Sequence, residues 1–195
     1  MIIFGLGNPG LKYRRTRHNA GYIFLENLAR TSRKRFSNKR RYKIATLRIK
    51  NCRVLLIKPD CWMNQCGTVI RDILQDEKED FLIVLDDINL PLGRMRLRST
   101  GSDGGHLGLR SIINMLSTCN FPRLRLGVGQ PPLSVDAEEY VLKSFKSDEI
   151  RIFNDVLRHG MKGIRMLVSD GFVKAQNYIN SFKMPDIEQD SNRFD

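Results

Sequence analysis

Residues 81–85, Phe-Leu-Ile-Val-Leu, form an unbroken apolar run that ends on two adjacent acids, Asp86 and Asp87. A run this short and uniform reads as a strand covered on both faces. Such strands belong to sheets with helices packed on each side, so this segment directs the reading toward an α/β fold. The rest of the chain agrees. Ile2–Leu6 is a second short apolar strand, closed by glycines. Residues 20–29 place apolar side chains at 22, 25 and 28, a helix face. Tyr42–Ile49 and Arg53–Ile57 flank Lys50-Asn51-Cys52 as a hairpin, and Lys58-Pro59 stops its second strand. Val69, Ile70, Ile73 and Leu74 make a helix face, and Arg94–Arg98 alternates as a strand. The glycine loop 101–108 feeds a helix over Leu109–Leu116, and Leu124–Val128 is another strand. Asp148–Ser169 is a long amphipathic helix, followed by a last one over Phe172–Asn180. The expectation is one α/β domain over residues 1–182, a twisted mixed β-sheet flanked by α-helices. Residues 183–195 read as a polar, mobile tail.

At 195 residues, folding buries roughly 70% of the surface of the unfolded chain, enough for a core without disulfides. No apolar stretch approaches the ~18 residues of a membrane span. The opening residues lack the basic segment and long apolar run of a secretion signal. Cysteines 52, 61, 66 and 119 contain no C-x-x-C pair, and only three histidines accompany them. This usage points to reduced thiols in a cytoplasmic protein and to no zinc site. The charge is more pointed. Thirty-three Lys and Arg against 21 Asp and Glu leave +12, the balance of a protein with a polyanionic partner, nucleic acid first. The segment from Arg30 to Lys43 holds no acid at all.

Chemistry gathers at the predicted strand ends, where sites collect in open α/β sheets. GLGNPG (5–10) has the G-x-G-x-x-G spacing of a dinucleotide-binding turn. That turn should open directly into a helix, whereas here the next helix starts about ten residues late. The glycines therefore read as a tight turn. His18 follows on the same loop, among Arg14, Arg15 and Arg17, and imidazole exchanges protons near neutrality. Asp86 and Asp87 offer a carboxylate to orient it. Alternation along the strand sends only one of them to the site. No histidine or third acid stands at a ligand spacing beside them, which favours an orienting acid over a metal pair. Asn64 is either an N-cap or an amide for a peptide or ester. Cys66 lacks any feature that would activate it as a nucleophile. Arg94, Arg96 and Arg98 share one strand face as a comb about 6–7 Å apart, close to the spacing of successive phosphates. The alternative is the solvated face of an edge strand. The loop 101–108 lacks the Lys-Ser/Thr of a P-loop, although amides at a helix start hold anions.

Taken together, GLGNPGLKYRRTRHNAGY (5–22), KPDCWMNQCG (58–67), LDDINLPLGRMRLR (85–98), GSDGGHLGLRSII (101–113) and FPRLRLGVG (121–129) resemble the bacterial-type peptidyl-tRNA hydrolase family. The likeness extends to about residue 182. It implies a cytoplasmic monomer that cleaves the ester between a peptide and the 3′-terminal ribose of tRNA, without metal or organic cofactor. By motif position it implies His18 as general base, Asp86 as its orienting acid, and Asn8 and Asn64 as amides that position substrate and water. Tyr13, Met63 and His106 fall among substrate-binding positions, Met63 in the peptide cleft. Arg96, Arg98 and Arg125 fall where the family contacts tRNA phosphates at the acceptor stem and 3′ end. Three positions depart: Leu107 stands where the family usually has Asn, Cys66 for Ser, and Trp62 for Phe or Tyr. A hydrocarbon cannot hydrogen-bond, so the amide role does not carry to Leu107. Two rivals stand beside this reading. One is a catalytically silent relative that binds RNA or protein; the other is a nucleotide-dependent enzyme built on GLGNPG.

Overall fold

A computed structural model describes residues 1–77 and 79–184. Seven strands form one mixed sheet. They are β1 (Ile2–Gly5), β2 (Ser37–Asn38), β3 (Tyr42–Ile49), β4 (Cys52–Pro59), β5 (Phe81–Asp87), β6 (Met95–Arg98) and β7 (Arg123–Gly127), in the order β2-β3-β4-β1-β5-β7-β6. The four central strands β4, β1, β5 and β7 run parallel, while β2, β3 and β6 pair antiparallel toward the two edges. The helices are α1 (Ala20–Thr31), α2 (Cys66–Asp76), α3 (Leu107–Leu116), α4 (Ala137–Leu142), α5 (Ser147–Asp170) and α6 (Phe172–Ser181).

The apolar run at 81–85 is central, and its lack of period has a plain cause. Leu82 and Val84 enter one core layer with Phe24, Leu28, Leu157 and Ile164 of α1 and α5. Ile83 and Leu85 enter the other with Val69, Ile70, Leu109 and Ile112 of α2 and α3. Burial on both faces removes the need for alternation.

Three boundaries differ from the sequence reading. Strand β6 begins at Met95, so Arg94 precedes the strand and the comb has two members, Arg96 and Arg98. Strand β4 runs from Cys52 past Ile57 to Pro59, which is its last residue and lies opposite Tyr42. The polar stretch 11–19 is closed by 3-10 turns at Leu11–Tyr13 and Arg17–Asn19. Two short elements were not anticipated. One is β2; the other is α4, capped by Asp136, whose side chain accepts from the amides of Glu138 and Glu139. Of the expected tail, residues 185–195 lie outside the described ones.

Two glycines set how closely α1 approaches the sheet. A Cβ on Gly21 would meet Val84 O at 2.3 Å and Leu6 N at 2.5 Å, and one on Gly5 would meet Gly21 O at 2.6 Å. Helix α1 thus rests directly on the backbone of β1 and β5. That contact brings His18, three residues before Gly21, over the end of β5. A methyl here must displace backbone, and overpacking costs ~1–3 kcal/mol. Gly21→Ala is expected to lower stability by about that amount in a denaturant titration. The GLGNPG spacing has a similar origin, because a Cβ on Gly7 would strike the Tyr22 ring at 2.6 Å.

Candidate active site

The turn Arg17–Asn19 is wholly buried, and each residue has a separate task. Arg17 bolts the loop to the segment between α4 and α5. Its Nη1 donates to Lys143 O and Ser144 O at 3.2 and 3.0 Å, and its Nη2 donates to both Glu149 oxygens at 2.8 and 2.6 Å. The guanidinium also lies 4.3 Å from the Tyr140 ring centroid. Asn19 ties the glycine turn: its Nδ2 donates to Asn8 O at 3.0 Å, and its Oδ1 accepts from Asn8 N at 2.8 Å. Asn8 Oδ1 in turn accepts from Met63 N at 2.9 Å. This bond fixes the orientation of the Asn8 amide and leaves its NH₂ without a protein partner among the described residues.

His18 lies between these anchors. Its Nδ1 is 3.0 and 3.2 Å from the two oxygens of Asp86. His106 Nε2 meets Asp86 from the other side at 3.1 Å. The tautomer of His106 follows from its neighbour, since its Nδ1 accepts the Leu109 amide at 3.1 Å as the N-cap of α3. His106 Nε2–H is therefore a donor to Asp86. The carboxylate accepts from two imidazoles, and His18, donating through Nδ1, keeps the lone pair on Nε2.

Burial alone would raise the pKa of Asp86, which is 2% exposed. The two imidazoles overcome that and hold it below its ordinary range. For His18, burial works against the charged ring, but Asp86 outweighs burial and raises the pKa above 6.5, with a smaller push from Glu138.

His18, Asp86 and His106 open onto a cavity of about 280 Å³, walled also by Leu107, Arg125 and Glu138. The sequence offered no metal-ligating partner for the aspartates, whereas the fold supplies two. The ligand-type atoms of His18, Asp86 and His106 lie within 4.8 Å of one another. All three are engaged in the hydrogen bonds just described. Cys66 is buried and donates to Gly108 O at 3.4 Å; burial pushes its thiol pKa up, away from a nucleophile.

The other sequence candidates are spread more widely. Asp87 lines the same cavity but pairs with Arg125, its Oδ2 2.5 Å from Arg125 Nε. Asn64 is exposed on the turn Met63–Gln65 and does not cap α2, whose N-cap is Gln65. Met63 is 4% exposed and packs under α3, where a Cβ on Gly108 would meet its sulfur at 2.5 Å. Its side chain belongs to the core layer. Tyr13 is half-buried, edge-on to Trp62 at 5.8 Å. Leu107 is 43% exposed at the first position of α3. Arg96 and Arg98 are exposed on the edge strand, opposite Arg125 and Arg123. Like charges opposed across strands are unfavourable. Arg123 escapes this by turning into a cage of carbonyls, at 2.5 Å from Gly101 O and 2.6 Å from Cys119 O. Sequence reasoning missed three of these links: Arg17–Glu149, His106–Asp86 and Arg125–Asp87. Only the charge and position of each residue hinted at them.

A parallel-centred α/β sheet carries a histidine–carboxylate pair at its strand ends and arginines along one edge, an arrangement compatible with a hydrolase. The comparisons with known proteins agree. The family model described as peptidyl-tRNA hydrolase matches residues 2–187. A peptidyl-tRNA hydrolase of Chloroflexus aggregans is 41% identical over 184 residues, covering 92% of this chain and 98% of that protein. One of Desulfitobacterium hafniense is 41% identical over 182 residues, with the same coverage. The crystal structure of peptidyl-tRNA hydrolase from Acinetobacter baumannii superposes with a TM-score of 0.88 at 32% identity, covering 93% of this chain and 95% of that one. The chain belongs to the peptidyl-tRNA hydrolase family.

Proposed function

We propose that this chain hydrolyses the ester between a peptide and the 3′-terminal ribose of tRNA, returning tRNA from stalled or aborted translation. The observation that carries the mechanism is the His18 Nδ1–Asp86 bond, which leaves Nε2 as the basic atom at the cavity. In this reading His18 Nε2 takes a proton from water, and the resulting hydroxide attacks the ester carbonyl. Asp86 orients the ring and favours the imidazolium as it forms. The NH₂ of Asn8, aimed by the Met63 amide, supports substrate and developing oxyanion, and Asn64 adds a second amide. The C–O bond to the ribose breaks, and His18 returns its proton to the leaving 3′-oxygen. The products are a peptide carboxylate and a tRNA with a free terminal hydroxyl. Tyr13 and His106 flank the ester, and Leu107 presents only hydrocarbon to it. The same reading makes the protein a cytoplasmic monomer that needs neither metal nor cofactor.

Arg96, Arg98 and Arg125 face the phosphates of the acceptor stem. Each phosphate contact contributes roughly 0.7–0.9 to the slope of log K against log[salt]. Arg96→Ala and Arg98→Ala are each expected to flatten the salt dependence of KM by that amount. Unchanged slopes in both would leave these arginines as a solvated edge.

The reading is tested with purified protein and N-acetylaminoacyl-tRNA. Release of the N-acetylamino acid, with the tRNA otherwise intact, is expected. Tight binding of the substrate without cleavage would identify a silent member of the family.

A further inference from the structure

The fourteen residues from Arg30 to Lys43 include eight Lys or Arg and no acid. They leave the end of α1, form β2 and enter β3, along the sheet edge opposite β6. Arg30, Arg33, Lys34 and Arg35 are exposed and, with Arg14 and Phe36, wall a groove of about 760 Å³. Among the described residues only Arg41 of the eight forms an ion pair, with Asp72 at 2.6 Å. The acid of the groove, Glu26, is itself 2.5 Å from Lys58 Nζ. Cations at a helix C-terminus offset the helix dipole, but that effect fades beyond the last turn and does not account for Arg35, Lys39 or Arg40. Arg33 carries its charge at φ 54°, a left-handed position usually given to glycine. Through Arg14 and Glu26 the groove joins a second one, of about 360 Å³, that reaches Asn8 and Asn19 past Lys43 and Lys58.

We propose that this face binds the sugar–phosphate backbone of an RNA other than the substrate's own tRNA. The inference rests on the reading above, in which the β6–β7 edge receives the tRNA. The scissile ester has RNA on one side only, and the peptide leaves on the other. Strands β2 and β6 are the two edges of the sheet, six strand spacings or roughly 29 Å apart. With tRNA on the β6 side, the β2 edge lies beyond the ester. A dense, acid-free charge there matches a uniformly charged backbone better than a peptide whose charge varies with its sequence.

The test uses a short blunt RNA duplex without an acyl group, measured by equilibrium binding across a salt series. In an Arg96→Gln/Arg98→Gln background the duplex is expected to bind still, with steep salt dependence. Adding Arg33→Gln, Lys34→Gln and Arg35→Gln is expected to weaken it roughly tenfold or more and to reduce the slope by about 2–3. The same three substitutions in the otherwise unaltered chain should leave kcat/KM on peptidyl-tRNA within about twofold, because this face does not hold the substrate. Unchanged duplex binding would overturn the proposal and leave the face merely solvated. A fall in kcat/KM parallel to the loss of duplex would overturn it too, by showing one tRNA at both edges. If Arg96→Gln/Arg98→Gln itself left kcat/KM unaltered, the tRNA would be absent from the β6 edge. The premise would then fail whatever the duplex does.

Discussion

His18→Ala is expected to fold as the parent chain does and to cleave N-acetylaminoacyl-tRNA roughly 10²–10⁴-fold more slowly, the usual loss when a proton-transfer group is removed. Folding survives for a specific reason. Removing the imidazole does not orphan the buried carboxylate, because Asp86 keeps the His106 Nε2–H at 3.1 Å. The loss should fall on kcat, with KM little changed, since in the proposed mechanism the ring acts on water and other residues hold the phosphates. A melting temperature close to the parent's, measured beside the rate, separates lost chemistry from lost structure. A rate within a few-fold of the parent would remove His18 from the role of base.

Asp86→Asn is expected to lose at least ~100-fold in kcat, within the range for disabling a general base. The carboxylate accepts from two imidazole N–H groups, His18 Nδ1 and His106 Nε2. An asparagine has one carbonyl oxygen and one NH₂. His106 is fixed as an Nε2–H donor by its bond to the Leu109 amide, so it claims the oxygen. The NH₂ then faces His18 Nδ1, and the ring accepts there by moving its proton to Nε2. The basic lone pair is lost from the cavity without any change of shape. Asp87→Asn should be far milder for chemistry, because Asp87 pairs with Arg125 and not with His18. If Asp87→Asn were the more damaging change, the assignment of the orienting acid would be reversed.

Much of this molecule is legible in its sequence, and the parts that are not have definable causes. Strands such as Phe81–Leu85 and helices such as Ser147–Asp170 declare themselves because burial on two faces or one face writes a pattern into the side chains. Helix α4 hid because six residues are too few to show a period, although Asp136 before Glu138 and Glu139 is a readable cap. Arg94 reads as a strand residue because alternation continues by chance one residue before the pairing does. The pairing of His18 with Asp86 was anticipated from two strand ends. The second imidazole on Asp86 was not, since His106 joins it only through the return of the chain over β6 and the glycine loop. Met63 shows the opposite limit. The resemblance implies a place in the peptide cleft, whereas the structure packs its side chain in the core layer beside Gly108. Arg17 anchors its loop to Lys143, Ser144 and Glu149, contacts that spacing along the chain does not encode.

The central claim is that neutral His18, oriented by Asp86, is the base. The pH dependence of kcat/KM tests it most directly, because that profile reports ionisations of the free enzyme. Only neutral imidazole accepts a proton, so activity must fall on the acid side as His18 becomes charged. With Asp86 beside it, the midpoint is expected above the ordinary imidazole value of 6.5. In Asp86→Asn the residual activity should show its midpoint at lower pH, because burial, which disfavours the charged ring, then acts without an opposing carboxylate. A profile flat through this range, or one whose midpoint stays in place when Asp86 is neutralised, would contradict the account.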